Sequence, residues 1–266
     1  MKTFLFPLLA VSLGLLSCQG LFQYSPNEVR LEESEKNLNQ RNLEQLAARP
    51  AKDSFRFIVI GDSQRFYDQL DDFVNTVNRM QGISFVLLNG DISDFGLARE
   101  FEWVNRGLSR LTIPYLAVIG NHDMISNGRL VYNQMFGAEN FSFTYGQNKF
   151  ICFNSNSMER GFDGSLPDLP FLRKELANSS EYNNVFVFSH VPPFDGAFDQ
   201  KLVEPYNELL VNNNVRLSVH AHTHKFSQSK PYGNDLEYLV TGSVGGRSFA
   251  LVTVDHDNYS IEEVSY

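Results

Sequence analysis

The stretch from Tyr115 to Asp123 reads YLAVIGNHD and joins an apolar run to a polar tip. The five residues Tyr115–Ile119 have the length and composition of a strand buried on both faces. A glycine ends the run, and an Asn, a His and an Asp follow. Asn oxygens and imidazoles can ligate metal ions, and an imidazole can also transfer a proton. Because Gly-Asn is equally typical of an ordinary turn, this stretch alone leaves both interpretations open.

Four further apolar runs end in polar groups of the same kind. They are Phe55–Ile60 followed by Gly61–Gln64, Ser84–Leu88 followed by Asn89–Asp94, Asn184–Phe188 followed by Ser189 and His190, and Val215–Val219 followed by His220–His224. Helical patterns over residues 66–80, 101–111, 169–177 and 202–211 lie between several of them. Strand–helix alternation predicts mostly parallel pairing in an α/β fold. Since ligand sites form beyond the carboxyl ends of such strands, we expect the five tips to converge.

Other segments predict antiparallel strands. Phe141–Tyr145 and Lys149–Phe153 flank a Gly-Gln-Asn turn and indicate a hairpin. Near the C-terminus, Leu236–Val240, Ser248–Val254 and Ser260–Val264 alternate in the same manner. Antiparallel strands added after a parallel core suggest a second sheet packed on the first.

The N-terminus has the features of a secretory signal. Met1 and Lys2 give a positive start, and the apolar stretch Phe4–Leu16 is too short to span a bilayer comfortably. Leu15–Cys18 resembles a bacterial lipobox, so we predict a signal peptide over residues 1–17 and membrane anchoring through a lipidated Cys18. This places the protein in the bacterial cell envelope, and Gln19 favours the outer membrane. An ordinary signal peptide with an incidental cysteine is the alternative.

Residues 18–53 are predicted to form the lipidated cysteine, a tether and a polar helix, and residues 54–266 one folded domain. The helix would start at Ser25, with Glu28 completing a capping box, and continue to about Ala48. The remaining cysteine, Cys152, lies in an apolar run and is expected to be a small buried hydrophobe.

The composition argues against one class of partner. The net charge is −9, and no cluster of Lys and Arg stands out. An acidic protein repels the phosphate backbone, so we expect no nucleic-acid binding.

The histidines concentrate at the predicted tips. Five of the six, all but His256, follow the apolar runs. With Asp62, Asp91 and Asn121 they form a mixed nitrogen and oxygen donor set, which suits Zn, Mn, Fe or Co. The donors suffice for two ions.

The ordered motifs between Phe55 and Lys225 resemble those of the calcineurin-like metallophosphoesterases. The resemblance implies a four-layer αββα sandwich with two central mixed sheets over residues 54–266. It also implies two divalent metal ions (Mn, Fe or Zn) and hydrolysis of a phosphate mono- or diester by a hydroxide that the two metals activate.

The resemblance further implies residue roles. Asp91 would bridge the two metals, and His122 would stabilise the transition state or protonate the leaving group, oriented by Asp94. The remaining metal ligands would be Asp62, Gln64 and His224 for the first ion and Asn121, His190 and His222 for the second.

Two positions depart from the family pattern. The first motif usually reads Asp-x-His, but Gln64 replaces the histidine with a neutral, weaker ligand. Ala221 stands where the last motif usually has Gly, and His220 is an additional histidine that we expect to be structural. A degenerate site leaves an alternative function open, namely a non-catalytic lipoprotein that binds a phosphate ligand or a protein partner.

Three residues are candidates for contact with the phosphate-ester substrate. Arg160 and Arg247 could each bind phosphate with two parallel hydrogen bonds, although a solvated or structural arginine is the commoner case. Asn156, in the loop after the predicted hairpin, is the third candidate.

Overall fold

The computed structural model of the protein describes residues 25–266. The predicted signal peptide and Cys18 lie outside this part of the chain, so the lipid anchor stays a prediction. Within residues 25–266, no helix has both the length and the apolar character that crossing a bilayer requires.

The described residues form eleven strands and six α-helices. The strands are β1 (Ser54–Ile60), β2 (Ile83–Asn89), β3 (Tyr115–Val118), β4 (Phe141–Tyr145), β5 (Asn148–Cys152), β6 (Asn184–Phe188), β7 (Leu217–His220), β8 (Ser227–Ser229), β9 (Glu237–Val240), β10 (Ser248–Asp255) and β11 (Asn258–Ser265). The helices are α1 (Leu38–Ala47), α2 (Tyr67–Val77), α3 (Ala98–Leu108), α4 (Gly128–Met135), α5 (Leu169–Leu176) and α6 (Val203–Asn212).

The strands form two mixed sheets. The first has the order β11-β10-β1-β2-β3 and the second the order β4-β5-β6-β7-β9-β8. Strands β1, β2 and β3 run parallel, as do β5, β6, β7 and β9. The outer strands β10, β11, β4 and β8 pair antiparallel with their neighbours. This arrangement confirms two central mixed sheets and the hairpin between β4 and β5.

Three hydrophobic cores stack the sheets and helices into four layers. Ile58 and Ile60 of β1 face helices α2 to α4 on the outside of the first sheet. Phe57 and Val59, the alternate residues of the same strand, face the second sheet. A third core joins the outside of the second sheet to α5 and α6. The predicted αββα sandwich is therefore confirmed. Successive side chains of β1 point to opposite faces of the sheet, and both faces are covered, which explains why the whole run is apolar.

Phenylalanines fill the space between the two sheets. The ring of Phe57 lies 5.5 Å from that of Phe150, edge to face, and 5.1 Å from that of Phe85, stacked. Cys152 belongs to this core and is fully buried, as the sequence predicted. Aromatic contacts of this kind add to the free energy of area burial and hold the sheets in register.

The C-terminal strands differ from the prediction. They do not make a sheet of their own, because β9 joins the second sheet parallel to β7 while β10 and β11 extend the first sheet beside β1. Most of the second sheet comes from the middle of the chain. Alternating patterns identify strands but do not specify which sheet they join.

The N-terminal helix is shorter than predicted. Ser25 accepts hydrogen bonds from the backbone of Asn27 and Glu28 in a turn rather than capping a helix. The α-helix begins only at Leu38 and packs against β3, where both the N–H and the C=O of Ala117 bond to the side chain of Asn39.

Candidate metal centre

The polar tips of both sheets meet at one end of the sandwich. Asn89, at the end of β2, is fully buried and donates its amide to the carbonyl oxygens of Ser189 and Val219 at 2.9 and 3.3 Å. These carbonyls lie beyond β6 and at the end of β7. A buried amide thus fastens the strand ends of the two sheets together, so the loops that follow them share one site.

Two glycines allow the loops to approach closely. A Cβ atom on Gly120 would overlap the backbone and carboxylate of Asp91, and one on Gly90 would overlap the ring of His190. Gly90 also has φ +92°, which only glycine adopts freely. The glycines of the second and third motifs are therefore needed for close packing around the cluster.

Asp62, Asp91 and His190 form the centre of the cluster. One ligand atom from each lies within 4.8 Å of the others, and all three residues are buried. His190 Nε2 lies 3.3 Å from Asp91 Oδ2 and 4.0 Å from Asp62 Oδ1. Neither oxygen of the fully buried Asp62 accepts a hydrogen bond of good geometry.

The orientation of His190 is fixed by a backbone contact. Its Nδ1 lies 2.9 Å from the carbonyl oxygen of Asn89 and must donate to it. Nε2 consequently points at two acceptors, Asp91 Oδ2 and Asn121 Oδ1, the latter at 3.1 Å. His222 completes this side, since its Nδ1 lies 3.0 Å from Asn121 Oδ1 and 3.3 Å from His190 Nε2. Lone pairs that face one another in this way require a shared cation or proton.

Two further side chains contact the carboxylates of the cluster. His224 Nε2 lies 3.1 Å from Asp62 Oδ1. Gln64 is buried and donates its amide to Asp91 Oδ2 at 3.1 Å. A half-turn of that amide exchanges its nitrogen and oxygen, so Gln64 is able to present an oxygen to a cation. The side chains of all seven predicted ligands are therefore brought close together.

The backbone around the ligands is strained. Five of the seven ligand candidates have φ in the left-handed region that non-glycine residues rarely adopt; they are Asp62 (55°), Gln64 (31°), Asp91 (54°), His222 (74°) and His224 (60°). Such conformations concentrate at functional sites, where the surrounding structure holds them in place.

The electrostatics fit a divalent cation. Burial lowers the pKa of His190, but the charges of Asp91 and Asp62 outweigh it and raise the pKa to about 10. The close contact with Asp62 likewise raises the pKa of His224. In both cases the negative charge of the carboxylates favours the cationic form of the imidazole. Carboxylate, amide and imidazole donors around a buried, hydrogen-bond-deficient Asp62 match the preferences of Mn, Fe or Zn.

His122 lies next to the cluster without joining it. Its backbone N–H donates to Asp91 Oδ1 at 2.9 Å, and its ring Nδ1 donates to the backbone carbonyl of Asp94 at 2.8 Å. The Asp94 carboxylate is farther from this nitrogen, at 3.8 Å, and pairs with Arg65 at 3.0 Å. Asp94 therefore orients His122 mainly through its main chain rather than through the side chain that the sequence suggested.

Asp123 anchors the loop that carries Asn121 and His122. It is fully buried and accepts hydrogen bonds from the backbone N–H groups of Ile92, Ser93 and Gly120. Burial, together with the charge of Asp91, raises the pKa of Asp123 to about 7. The carboxylate ties the loops after β2 and β3 to each other.

His220 is a structural residue, as expected. It is fully buried, its Nε2 lies 2.8 Å from Ser218 Oγ, and its ring stacks on Tyr238 with centroids 6.0 Å apart. Burial lowers its pKa to about 3, so the ring is neutral. His220 is the last residue of β7.

The three candidate substrate residues lie in other surroundings. Arg247 pairs with Asp72 at 2.8 Å, and Arg160 pairs with Asp163 at 3.1 Å. Asn156 is fully buried and donates to the carbonyl of Ile119, beneath the loop of the third motif. Among the described residues, none of the three bonds to a side chain of the metal cluster, and their contact with substrate stays a prediction.

The site also contains residues that the sequence did not reveal. Arg65 reaches Asp94, and Asp195 Oδ1 lies 3.7 Å from His222 Nε2. Adjacency to Gln64 was the only signal for Arg65, and Asp195 lies in a loop without a motif. Their roles depend on side-chain geometry that spacing along the chain does not encode.

A four-layer fold with a buried carboxylate–histidine cluster at its strand ends defines an α/β metal-binding protein. Comparison with known proteins identifies its family, because the calcineurin-like phosphoesterase model matches residues 55–226. The chain belongs to the calcineurin-like phosphoesterases, a class of hydrolases that act on phosphoester bonds.

One curated relative is a probable cyclic nucleotide phosphodiesterase of Xenorhabdus bovienii, 22% identical over 175 residues. The match covers 62% of this chain and spans 56% of that relative's length.

Two solved structures share the fold. A dimetal phosphatase from Danio rerio has a TM-score of 0.66 at 16% identity, with 79% of this chain and 96% of that one covered. The purple acid phosphatase PPD1 from yellow lupin (Lupinus luteus) seeds has a TM-score of 0.65 at 13% identity, covering 81% and 52%.

Proposed function

We propose that the protein is a metal-dependent phosphoesterase that hydrolyses a phosphate mono- or diester at a dinuclear centre. The observation that carries the proposal is Asp62. This carboxylate is fully buried, accepts no hydrogen bond of good geometry, and faces Asp91 and His190. A buried carboxylate left in this state is costly unless a cation neutralises it.

The two groups of ligands support two ions. Asp62, Gln64 and His224 would hold the first, and Asn121, His190 and His222 would hold the second. Asp91 contacts members of both groups, since Gln64 Nε2 and His190 Nε2 both lie close to its Oδ2, and it would bridge the ions. Bound divalent ions would supply Lewis acidity towards the phosphoryl oxygens and an activated water as nucleophile.

The other groups of the site serve the substrate. His122 donates from Nδ1 to the carbonyl of Asp94, so Nε2 is the ring nitrogen left to face a leaving group. When both ring nitrogens carry a proton, the ring can keep its hydrogen bond to the carbonyl of Asp94 and transfer the Nε2 proton to the leaving oxygen. Asn89 fixes Nε2 of His190 towards the metal position, and Asp123 holds the loop on which Asn121 and His122 stand.

The test compares metal content with turnover. Full-length protein loaded with Mn²⁺ should retain two ions per chain and hydrolyse p-nitrophenyl phosphate or its bis ester. His122→Ala should cut kcat by about 10²–10⁴-fold, the usual contribution of a general acid, while the metal content stays at two. Asp91→Asn should lose both metal and turnover. His256→Ala, a change at an exposed histidine paired with Asp255, is the matched control and should leave both unchanged.

The same measurements separate the alternative function. A protein that binds metal and inorganic phosphate but turns over no ester, with or without His122, would be a binding module rather than an enzyme. A protein that retains no metal after reconstitution would contradict the proposal outright.

A further inference from the structure

Arg65 is a cationic side chain near the metal centre, and it has no role in the proposed binding of metal. It directly follows Gln64 in the loop after β1, and its Nη1 donates to Asp94 Oδ2 at 3.0 Å. The backbone carbonyl of the same Asp94 accepts from the ring of His122. A single residue therefore connects the guanidinium to the imidazole that would face the leaving group.

The guanidinium is held in position but remains open to solvent. Its carbon lies 5.7 Å from the centroid of the Phe66 ring, and that ring packs so tightly on Gly245 that a Cβ there would lie 2.7 Å from it. The Arg65 side chain is nevertheless 65% exposed, whereas its partner Asp94 is 8% exposed. The carboxylate holds one nitrogen of the planar guanidinium group, and the exposure of the side chain leaves the other N–H groups accessible to solvent.

The negative charge of the site would repel a phosphate anion, and the N–H groups of Arg65 can offset that repulsion. Asp62, Asp91 and Asp94 are carboxylates of the site to which a phosphate anion would bind, and the whole chain carries a net charge of −9. An arginine with free N–H groups beside the cluster offsets this repulsion and matches the geometry of two phosphoryl oxygens.

The two arginines that the sequence suggested lack this placement. Arg247 is paired with Asp72 and lines a cavity of about 560 Å³ whose other walls come from α2, the residues that follow it and the C-terminal Tyr266. Arg160 pairs with Asp163, three residues along the chain. Neither partner is a residue of the metal centre, so neither arginine has the link to His122 that Arg65 has.

We infer that Arg65 binds the phosphoryl oxygens of the substrate and of the phosphate product. The inference deepens the proposed function and rests on it, because it assigns a contact within the same site. Arg65 is thereby a substrate-binding residue, distinct from the residues that hold the metals.

The first experiment measures inorganic phosphate binding by titration calorimetry on full-length, Mn²⁺-loaded protein. Arg65→Gln should weaken phosphate binding at least tenfold. Arg65→Lys should weaken it less, because lysine keeps the positive charge but lacks the paired N–H donors of the guanidinium group. Metal content should stay at the wild-type value in both variants. Arg110→Gln, at an exposed arginine paired with Asp71 on α2, should bind phosphate as the wild type does.

A second experiment distinguishes direct contact from an effect through Asp94. Asp94→Asn removes the partner of Arg65 but leaves the guanidinium in place. If Arg65 touches phosphate, Asp94→Asn retains the affinity or increases it, because one negative charge has gone. If Arg65 acts only by positioning Asp94, Asp94→Asn and Arg65→Gln weaken phosphate binding to the same extent, which overturns the inference.

Turnover adds a readout that separates the two proposals. With the mono- or diester above, Arg65→Gln should raise KM at least tenfold with a smaller change in kcat. A wild type that binds phosphate through Arg65 yet hydrolyses no ester contradicts the proposed enzyme but supports this contact. Unchanged phosphate affinity in Arg65→Gln, or a wild type that binds no phosphate, overturns the contact whatever the turnover.

Discussion

Gly120 lies against Asp91 so closely that no side chain fits between the loops after β2 and β3. We expect Gly120→Ala to push Asp91 away from His190 and to lower Mn²⁺ affinity by at least tenfold, with a loss of turnover in proportion. Equilibrium dialysis against Mn²⁺ measures the change. The overlap is with backbone as well as with the carboxylate, so the neighbouring loop cannot relieve it by a rotamer change.

Gly196→Ala is the matched control, because a Cβ there meets nothing within 4 Å and the residue has no positive φ. It should bind Mn²⁺ as the wild type does. Wild-type Mn²⁺ affinity in Gly120→Ala would show that the two loops separate at little cost.

Residue identities at the site were readable from the sequence, but their contacts were not. The order of the motifs predicted seven candidate ligands, and the structure brings their side chains close together. The main-chain contact from Asp94 to His122, the bond from Arg65 to Asp94, and the link through Asn89 were missed. These depend on loop conformations, several with φ in the left-handed region, and no spacing rule predicts them.

At the scale of elements, α1 protects an edge of the first sheet. β3 is the edge strand, and the Asn39 side chain replaces a neighbouring strand by bonding the N–H of Ala117 at 2.8 Å and its carbonyl at 2.9 Å. The carbonyl has a second donor, Tyr132, but in the described residues the N–H has only Asn39. Asn39→Ala should therefore lower the free energy of unfolding by about 1–3 kcal/mol, the cost of one unsatisfied buried donor.

Urea titration of Asn39→Ala measures this loss, with Gln40→Ala as control. Gln40 is exposed on the same helix, and its side chain bonds to Glu44 one turn along, so its substitution should change the free energy of unfolding by less than about 0.5 kcal/mol. Equal effects in the two variants would mean that α1 contributes to stability only through its apolar residues.

Glu139 connects α4 to the loop after β5 and gives the fold an acid-sensitive contact. Its carboxylate accepts from Arg129 at 2.6 Å and from the amide of Asn154 at 2.8 Å. Burial raises the pKa of Glu139, but these hydrogen bonds outweigh it, and the pKa lies below its usual value. The contribution to stability is then complete above about pH 4.5 and is lost as the pH falls through the lowered pKa.

Glu139→Gln should reduce the free energy of unfolding by about 1–3 kcal/mol at pH 7 and by less towards pH 3, as the pH approaches the lowered pKa and the wild type begins to lose the charge. Urea titrations at the two pH values check this, with Glu33→Gln, at an exposed carboxylate paired with Lys36, as control. A difference from wild type that stays constant between pH 7 and pH 3 would exclude the charge of Glu139 as the cause.

Helices and strands were predicted correctly where the spacing of apolar residues along the chain was unambiguous. The helices α2, α3, α5 and α6 and all five buried parallel runs lie where periodicity placed them. The N-terminal helix was extended too far because a capping-box pattern around Ser25 forms a turn instead. Helix α4 and the short strand β8 were missed, since neither has a long periodic pattern.

At the scale of the whole molecule, the buried carboxylates that would bind metal lower the stability of the metal-free protein. The fold surrounds Asp62 and Asp91 with buried backbone and histidines, and it leaves the oxygens of Asp62 without hydrogen bonds of good geometry. Such a site destabilises the metal-free protein, and bound metal should recover the loss by mass action. For a ligand at 100 times its Kd, that gain is about 2.7 kcal/mol.

Asp62→Asn separates the two effects. Without metal, the neutral amide removes a buried charge and can donate as well as accept, so the variant should be more stable than the wild type by about 1 kcal/mol. With saturating Mn²⁺ the order should reverse, because the wild type gains the binding free energy and the variant loses a ligand to one ion. Thermal unfolding in chelator and in Mn²⁺ gives both comparisons. Asp72→Asn, at an exposed carboxylate paired with Arg247, should respond to Mn²⁺ as the wild type does, whereas an undiminished Mn²⁺ response in Asp62→Asn would remove Asp62 from the ligand set.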